Sequence, residues 1–564
     1  MADAILMRGT VATVIIPEMQ NGVGHFPSEP GAESADESTP APAGLEPDTD
    51  AIAQAAILHL RGNSAGALQV LTAVDPAQRT ADLLSALGYV QAELHEYAAA
   101  AQTYSELAQM QPSMAEAWFQ WGFCLYRLGE TASALQKFDR AAALRSDWIE
   151  IPLARAVSHL RLKQYQKSFE CADECLAMNP AYGPALFAKA VTFHVMWEFD
   201  QALALYTQII EADPASIETL MNLITLGLQQ KQYATVRRYS EQLIALQPDI
   251  ALAVEGLAIA AFNDGDYATA VQQFSRLLEL APEQPSNWLN LGVSHERRGD
   301  LPEAIAAFTK ARQLRPDSLF AHTYLGGALF KSGDLVAARY CYQEAVRKWP
   351  DREELTLMLA QILEDLGSLP EAEQVCAQYC ERDSSHSQVW FHLGYVQYKR
   401  EHWDDAIFSF DRALALKPDW PEAEVDLALA AYMSGKYDQS EAVLRRLLER
   451  EPEHLEGLKG LATVTLAQGR HEEALKLHVK VLAIGGPDAD AFYNCGVLAY
   501  RLQRHDSAAD YYRQAISVRP AFAEALLNLG HALNELGRND EAHSSWISAL
   551  ELRPEFARGY FRRA

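Results

Sequence analysis

Proline recurs on a fixed beat along this chain. Pro112, Pro180, Pro214, Pro248, Pro282, Pro316, Pro350, Pro418, Pro452, Pro520 and Pro554 are separated by 34 residues or a multiple of 34. Ser146, Ser384 and Gly486 occupy the three missing beats, and Pro487 follows the last of them. The frame runs without insertion from residue 81 to residue 556 and holds fourteen repeats of 34 residues. A chain of this kind grows by stacking in one dimension rather than by enlarging one core. Its 564 residues therefore need not divide into the several domains that length alone suggests.

The repeats begin at 81, 115, 149, 183, 217, 251, 285, 319, 353, 387, 421, 455, 489 and 523. In the repeat at 115, Trp118, Trp121, Gly122 and Leu125 fall at helical spacing. Gly129 breaks the chain, and Ala134, Leu135, Phe138 and Ala141 continue at helical spacing in a second helix. The recurrent proline stops that helix, because it lacks an N–H and clashes with the preceding turn. Position twenty is Ala or Ser in thirteen of fourteen repeats, and position eight is Gly or Ala in thirteen of fourteen. Small residues at both places let paired helices approach closely, and a bulky one would overpack the contact at a cost of ~1–3 kcal/mol. Ile224 and Val236 are the two large exceptions, and both lie in the repeat at 217. That coincidence suggests either a modest local widening without consequence or a locally different helix pairing, with Gly227 partly replacing the missing small contact.

Trp or Leu at position four, Leu-Gly at seven and eight, Ala at twenty, an aromatic at twenty-four and Pro at thirty-two resemble the tetratricopeptide repeat. NWLNLGVSHERRGD with Ala304, Phe308 and Pro316, and LLNLGHALNELGR with Ala542, Trp546 and Pro554, carry the likeness most fully. It covers 476 of the 564 residues. The resemblance implies an all-α fold, a right-handed superhelical solenoid of antiparallel helix pairs, with a concave groove lined by the first helix of each repeat.

The ends depart from the beat. Residues 1–50 include a Pro-, Ser- and acid-rich stretch that cannot bury a core, and read as a disordered N-terminal segment and linker. Residues 51–80 read as a degenerate capping hairpin that turns at Gly62. Residues 557–564 are expected to form a short capping helix. The N-terminal twenty residues lack the long apolar core and cleavage site of an export signal.

A net charge of −27 repels phosphate backbones, so no nucleic-acid partner is expected. No apolar run approaches the ~20 residues of a membrane span. Seven cysteines are too few, and odd in number, for a disulfide scaffold, and suggest a cytoplasmic protein. Cys171/Cys175 and Cys376/Cys380 each lie four apart on a second helix, but in columns that elsewhere hold packing residues. His471 and His505 stand at position seventeen, where other repeats place Tyr97, Tyr233 or Trp403, and read as turn-packing residues. The repeat frame leaves no room for a separate catalytic domain, and no phosphate loop, H-E-x-x-H or G-x-S-x-G element occurs. No enzymatic activity, metal or cofactor is expected.

The resemblance also implies where partners bind: positions two, five, six, nine, twelve and thirteen of the first helix face the groove. The repeat at 115 then offers Phe119, Gln120, Phe123, Tyr126 and Arg127. The repeat at 387 offers Phe391, His392, Tyr395, Tyr398 and Lys399, and that at 489 offers Tyr493, Asn494, Tyr500 and Arg501. The repeat at 319 offers Phe320, Tyr324, Phe330 and Lys331. Exposed aromatics beside a cation are what anchors a peptide; the alternative is that these rings pack on the adjoining helix or a neighbouring turn. The family's clamp for chaperone C-terminal tails needs Asn at position nine, which no repeat has. Asn222, Asn290, Asn494 and Asn528 at position six resemble, in broken form, the peptide-binding ladder of protein O-linked N-acetylglucosamine transferases. The expected function is a scaffold or adaptor holding one or more proteins or extended peptide segments. The alternatives are a substrate-recruiting subunit of a separately encoded enzyme, such as a glycosyltransferase, or an assembly factor for secretion or envelope machinery.

Overall fold

A computed structural model describes residues 47–557. They form fourteen consecutive helix pairs between Ala81 and Leu552, preceded by a pair made of Pro47–Leu60 and Ser64–Thr72. The first helix of each repeat starts on or next to its first residue, and the second starts at position seventeen. No strand occurs among the described residues. The chain is thus an all-α repeat protein. It divides into two compact units, one ending at Leu314 and the other beginning at Arg315.

The hairpin turn is set by one backbone conformation. Position fifteen of all fourteen repeats is left-handed, with φ from 58° to 98°. Gly supplies it eight times, as at Gly129 and Gly469; His95, Lys163, Trp197, Lys231, Glu401 and Gln503 adopt it with a side chain attached.

Two recurrent contacts explain the rest of the pattern. The aromatic at position twenty-four lies over the residue at position eight. A Cβ added at Gly122 would come within 2.7 Å of Phe138, at Gly394 within 2.9 Å of Phe410, and at Gly496 within 2.6 Å of Tyr512. All fourteen residues at position twenty are wholly buried beneath these pairs. The indole at position four donates to the carbonyl on the proline beat before it: Trp118 to Pro112 at 3.1 Å, Trp288 to Pro282 at 2.9 Å and Trp390 to Ser384 at 3.1 Å. In these three repeats the bond fastens the repeat to the one before it.

The repeat at 217 solves its size problem as expected, and with a second glycine that the sequence reading did not use. Val236 packs on Gly227, where an added Cβ would stand 2.8 Å from its methyl. In the next repeat Gly256 makes room for Ile224, Val236 and Ser240, the nearest atom of each lying 3.0, 3.2 and 2.6 Å from where a Cβ would be.

At the N-terminal end the first helix begins at Pro47, four residues earlier than the linker boundary read from sequence. Gly62 is left-handed between the two helices, and Ala67 and Leu71 pack on Leu83 and Leu87 of the first full repeat. Apart from Ala557, the C-terminal residues expected to form a capping helix lie outside the described residues, as does the N-terminal segment up to residue 46.

Candidate partner-binding face

Position five does not face an open groove where it carries a ring. Phe119 is buried, with its ring 5.5 Å from Phe138 and 4.6 Å from Trp148. Phe391 stacks in the same way on Phe410 at 5.6 Å and Trp420 at 4.5 Å, and Tyr493 on Tyr512 at 6.0 Å and Phe522 at 5.0 Å. The third ring of each stack stands at position thirty-four, where the chain enters the next repeat. A cation at position thirty-one covers it: Arg145 over Trp148 at 5.1 Å, Lys417 over Trp420 at 4.3 Å and Arg519 over Phe522 at 4.7 Å. The same guanidinium reaches the acid at position two, Arg145 to Glu116 and Arg519 to Asp490, each at 2.6 Å. Ring, cation and acid therefore form an internal clasp that closes each of these hairpins where the chain leaves for the next repeat, and three expected anchors are absorbed by it.

Position twelve is also structural. Tyr126 is buried under Arg161, whose guanidinium stands 4.8 Å from its ring, and Arg127 lies 5.1 Å from the Tyr97 ring. Tyr398 meets Trp403 at 5.0 Å and Tyr500 meets His505 at 5.1 Å, both edge to face across the hairpin turn. Phe123 is buried with its ring 6.4 Å from Tyr97. The expectation that Phe119, Phe123 and Tyr126 are exposed is corrected, because burying these rings in the repeat stack removes more apolar area from water than a groove would. In the repeat at 319, Phe320 is exposed, Tyr324 and Phe330 are half-buried and Lys331 is exposed.

Positions six and nine set the repeats from 149 to 285 apart; in the two repeats before them Ala86, Tyr89 and Gln120 are half-buried and Phe123 is buried. In the first compact unit, from the repeat at 149 to that at 285, all ten are buried: Ala154, Val157, Ala188, Val191, Asn222, Thr225, Gly256, Ile259, Asn290 and Val293. In the second unit no residue at either position is buried. This face carries the candidate site.

Its most structured part surrounds Glu364, at position twelve of the repeat at 353. The Glu364 side chain is only 4% exposed. His392 Nε2 lies 2.7 Å from one of its oxygens, and Lys399 Nζ donates to the other at 3.1 Å. Burial pushes the Glu364 carboxyl up, but His392 and Lys399 together hold it below the usual carboxylate range. Lys399 also stands 4.5 Å from the Tyr395 ring, and its own pKa is raised by Tyr395 and Glu364. His392, Tyr395 and Lys399 are thus held in a fixed arrangement, with Lys399 still 42% exposed.

The asparagines at position six do not form a ladder. Asn222 and Asn290 are buried, and Asn222 hydrogen-bonds Tyr206. Asn528 donates to the Tyr493 hydroxyl at 3.1 Å, while Asn494 and Arg501 are exposed. The paired cysteines are packing residues: burial pushes Cys171 up to about 11 and Cys175 and Cys380 to about 12, far from a reactive thiolate.

Sequence reasoning missed a cavity of about 150 Å³ in the second unit, between helices Pro421–Met433 and Leu455–Ala467. Val425, Ala428, Leu429, Leu444 and Val464 supply apolar walls, and Tyr432, Glu456, Lys459 and Thr463 stand around them. The signal in the sequence is a gap: Val425 holds position five and Gly460 holds position six of the next repeat.

These stacked hairpins, with one sealed and one open first-helix face, define a helical-repeat interaction protein. The chain belongs to the tetratricopeptide repeat family. One model of that family matches residues 85–147, 236–285, 255–318, 289–353, 325–387, 357–421 and 493–556, more than half of the chain. Two further tetratricopeptide repeat models match 453–521 and 398–464. Among curated proteins, the chain is 24% identical over 182 residues to the human Protein O-mannosyl-transferase TMTC1, which is 32% of this chain and 21% of that protein. It is 31% identical over 94 residues to a TPR repeat-containing protein of Rhizobium etli, 17% of this chain and 46% of that one. The match therefore spans about a fifth of the first relative and under half of the second. Among solved structures, the APC/C hetero-tetramer Cut9-Hcn1 aligns over 80% of this chain and 96% of its own, at 15% identity and a TM-score of 0.31. YrrB, described as a TPR protein with an unusual peptide-binding site, aligns over 33% and 95%, at 17% identity and a TM-score of 0.31.

Proposed function

We propose that this protein is a non-enzymatic adaptor that holds extended segments of partner proteins on the open first-helix face of its second compact unit. The observation that carries this reading is the contrast at positions six and nine, buried through five repeats of the first unit and in none of the second. Extended segments bind where side chains are reachable but already ordered, since little conformational entropy is then lost. The His392–Tyr395–Lys399 group, fixed by Glu364, meets that description. The exposed Asn494 and Arg501 extend the same face. Seven buried, free cysteines suit a reducing compartment such as the cytoplasm. A recruiting role for a separate glycosyltransferase draws no support from the asparagines, because Asn222 and Asn290 are buried.

The test is site-specific photo-cross-linking of the full chain in its native cells. A benzophenone side chain replaces Tyr395 in one variant and the exposed Gln166 of the first unit in another. A defined set of proteins cross-linked from position 395 and absent from position 166 is the expected result. Equal capture from both positions refutes the reading.

A further inference from the structure

The clasp that closes a repeat is complete at 115 and at 489, and it is dismantled at 421. At 115 it consists of Phe119, Phe138 and Trp148, the cation Arg145 and the acid Glu116. In the repeat at 421 position five is Val425, position twenty-four is Leu444 and position thirty-four is His454. His454 is turned away from any stack to cap the next helix, its Nδ1 accepting from the Gly457 N–H at 3.1 Å. Position thirty-one is Glu451 rather than a cation, so the acid at position two, Glu422, gains no partner from it. The cavity of about 150 Å³ includes Val425 and Leu444, the positions whose side chains are rings in the complete clasps. Gly460 widens it, since a Cβ there would stand 3.3 Å from both Leu444 methyl groups.

We propose that this cavity receives an aromatic side chain of a partner segment, with a Lys or Arg beside it that pairs with Glu422 and Asp426. The partner then supplies the ring and the cation that this repeat alone lacks. The proposal rests on the reading that the open face of the second unit holds extended segments. Three observations carry it. An apolar cavity of about 150 Å³ is large enough for a benzene ring. Tyr432 lines it and can meet an inserted ring edge to face. Glu422 and Asp426 lie one turn apart on the helix that supplies Val425 and Leu429. Burial, and then the nearby Glu422, push the Asp426 carboxyl up to about 6, and a cation placed between the two acids would oppose that push. Glu456 on the opposite wall is already paired with Lys459 at 2.9 Å.

The experiment titrates the full chain, with methyl groups isotope-labelled, with three capped peptides: acetyl-Gly-Phe-Lys-Gly-amide and its Ala-Lys and Phe-Glu counterparts. The Phe-Lys peptide should shift the methyl signals of Val425, Leu429 and Val464. The Ala-Lys peptide should bind at least tenfold more weakly. The Phe-Glu peptide should bind severalfold more weakly, with the difference shrinking as salt rises. Val425→Phe restores the ring that other repeats carry and should weaken the Phe-Lys peptide at least tenfold without lowering the melting temperature. Gly460→Leu fills the same space from the other wall and should act alike. Equal binding of Phe-Lys and Ala-Lys peptides, no effect of either filling variant, or no shift at these methyls overturns the proposal. Shifts confined to methyls beside Tyr395, such as Leu393, overturn the cavity and leave the open-face reading standing. Failure of cross-linking at position 395 overturns that reading whatever the cavity does.

Discussion

The repeats from 149 to 318 and those from 353 to 522 share one frame, one turn geometry and one set of buried position-twenty residues, yet they treat the face of the first helix oppositely. In the first group positions six and nine are filled by Ala154, Ala188, Gly256, Val157, Val191 and Ile259, small or aliphatic side chains that pack away completely. In the second group the same places hold the polar Gln361, His392, Tyr395, Asp426, Thr463 and Asn494, but also Met358, Leu429, Gly460 and Val497, and none of these is buried. Polarity alone does not decide this, because Asn222, Thr225 and Asn290 are buried in the first group, Asn222 with a hydrogen bond to Tyr206. The frame therefore fixes how helices pair and leaves open whether the first-helix face is core or surface.

The contrast is broken most sharply by one charge placed at position nine on each side. Val191→Asp buries a carboxylate in the sealed face and should cost about 3–5 kcal/mol. Thr463→Asp, on the exposed counterpart, should stay within about 0.5 kcal/mol. Hydrogen exchange resolved by repeat is the appropriate measurement, since long arrays need not unfold in two states.

Glycine at the hairpin contact gives the next effect. Gly394→Ala drives a methyl to 2.9 Å from the Phe410 ring and should destabilise that repeat by about 1–3 kcal/mol. Gly460→Ala, beside the cavity, meets only the ends of Leu444 at 3.3 Å and should cost less than about 0.5 kcal/mol.

Asp426 sharpens the comparison through pH. Burial and the neighbouring Glu422 push its carboxyl up to about 6, above the ordinary carboxylate range, so the folded state binds the proton more tightly. Stability from this group is fully present below about 4 and is lost as pH rises through 6. Asp426→Asn should therefore raise the melting temperature by a few degrees at pH 7.5, and the gain should vanish near pH 4. A gain of equal size at both pH values refutes the assignment.

The smallest effect concerns the turns. Lys231→Gly removes a side chain from a left-handed residue and should stabilise by no more than about 1 kcal/mol, part of the relief being offset by glycine's greater freedom when unfolded. Gly265→Lys, the same column in the next repeat, should shift stability the other way by a similar amount.

The repeat frame was legible because close approach leaves a signature in side-chain size. Gly122 must be small to admit Phe138, and the residues on the proline beat carry the carbonyls that receive Trp118, Trp288 and Trp390. Gly227 could be assigned its role because it lies one helical turn from Ile224. The candidate site was legible only in part. Tyr395, Lys399 and His392 do share one patch, but Glu364, which orders them, belongs to the preceding repeat and reads from sequence as an ordinary surface acid. Phe119 was misread because its second partner, Trp148, stands twenty-nine residues away, at the entry to the following repeat. A helical periodicity shows which residues share a stripe and does not reveal what a neighbouring hairpin lays over it. The cavity left only a faint trace: position five carries a ring at Phe391 in the preceding repeat and at Tyr493 two repeats on, but only a valine at Val425, beside Gly460.

The accommodation of Ile224 and Val236 has a consequence for how such a chain is rebuilt. Part of the room for these side chains comes from Gly227 in their own hairpin, and part from Gly256 in the hairpin that follows. Segment 217–250 is consequently no interchangeable brick: placed before any repeat other than those at 251 and 455 it would meet a side chain at position six, whereas 217–284 moved as a piece carries its own socket along with it.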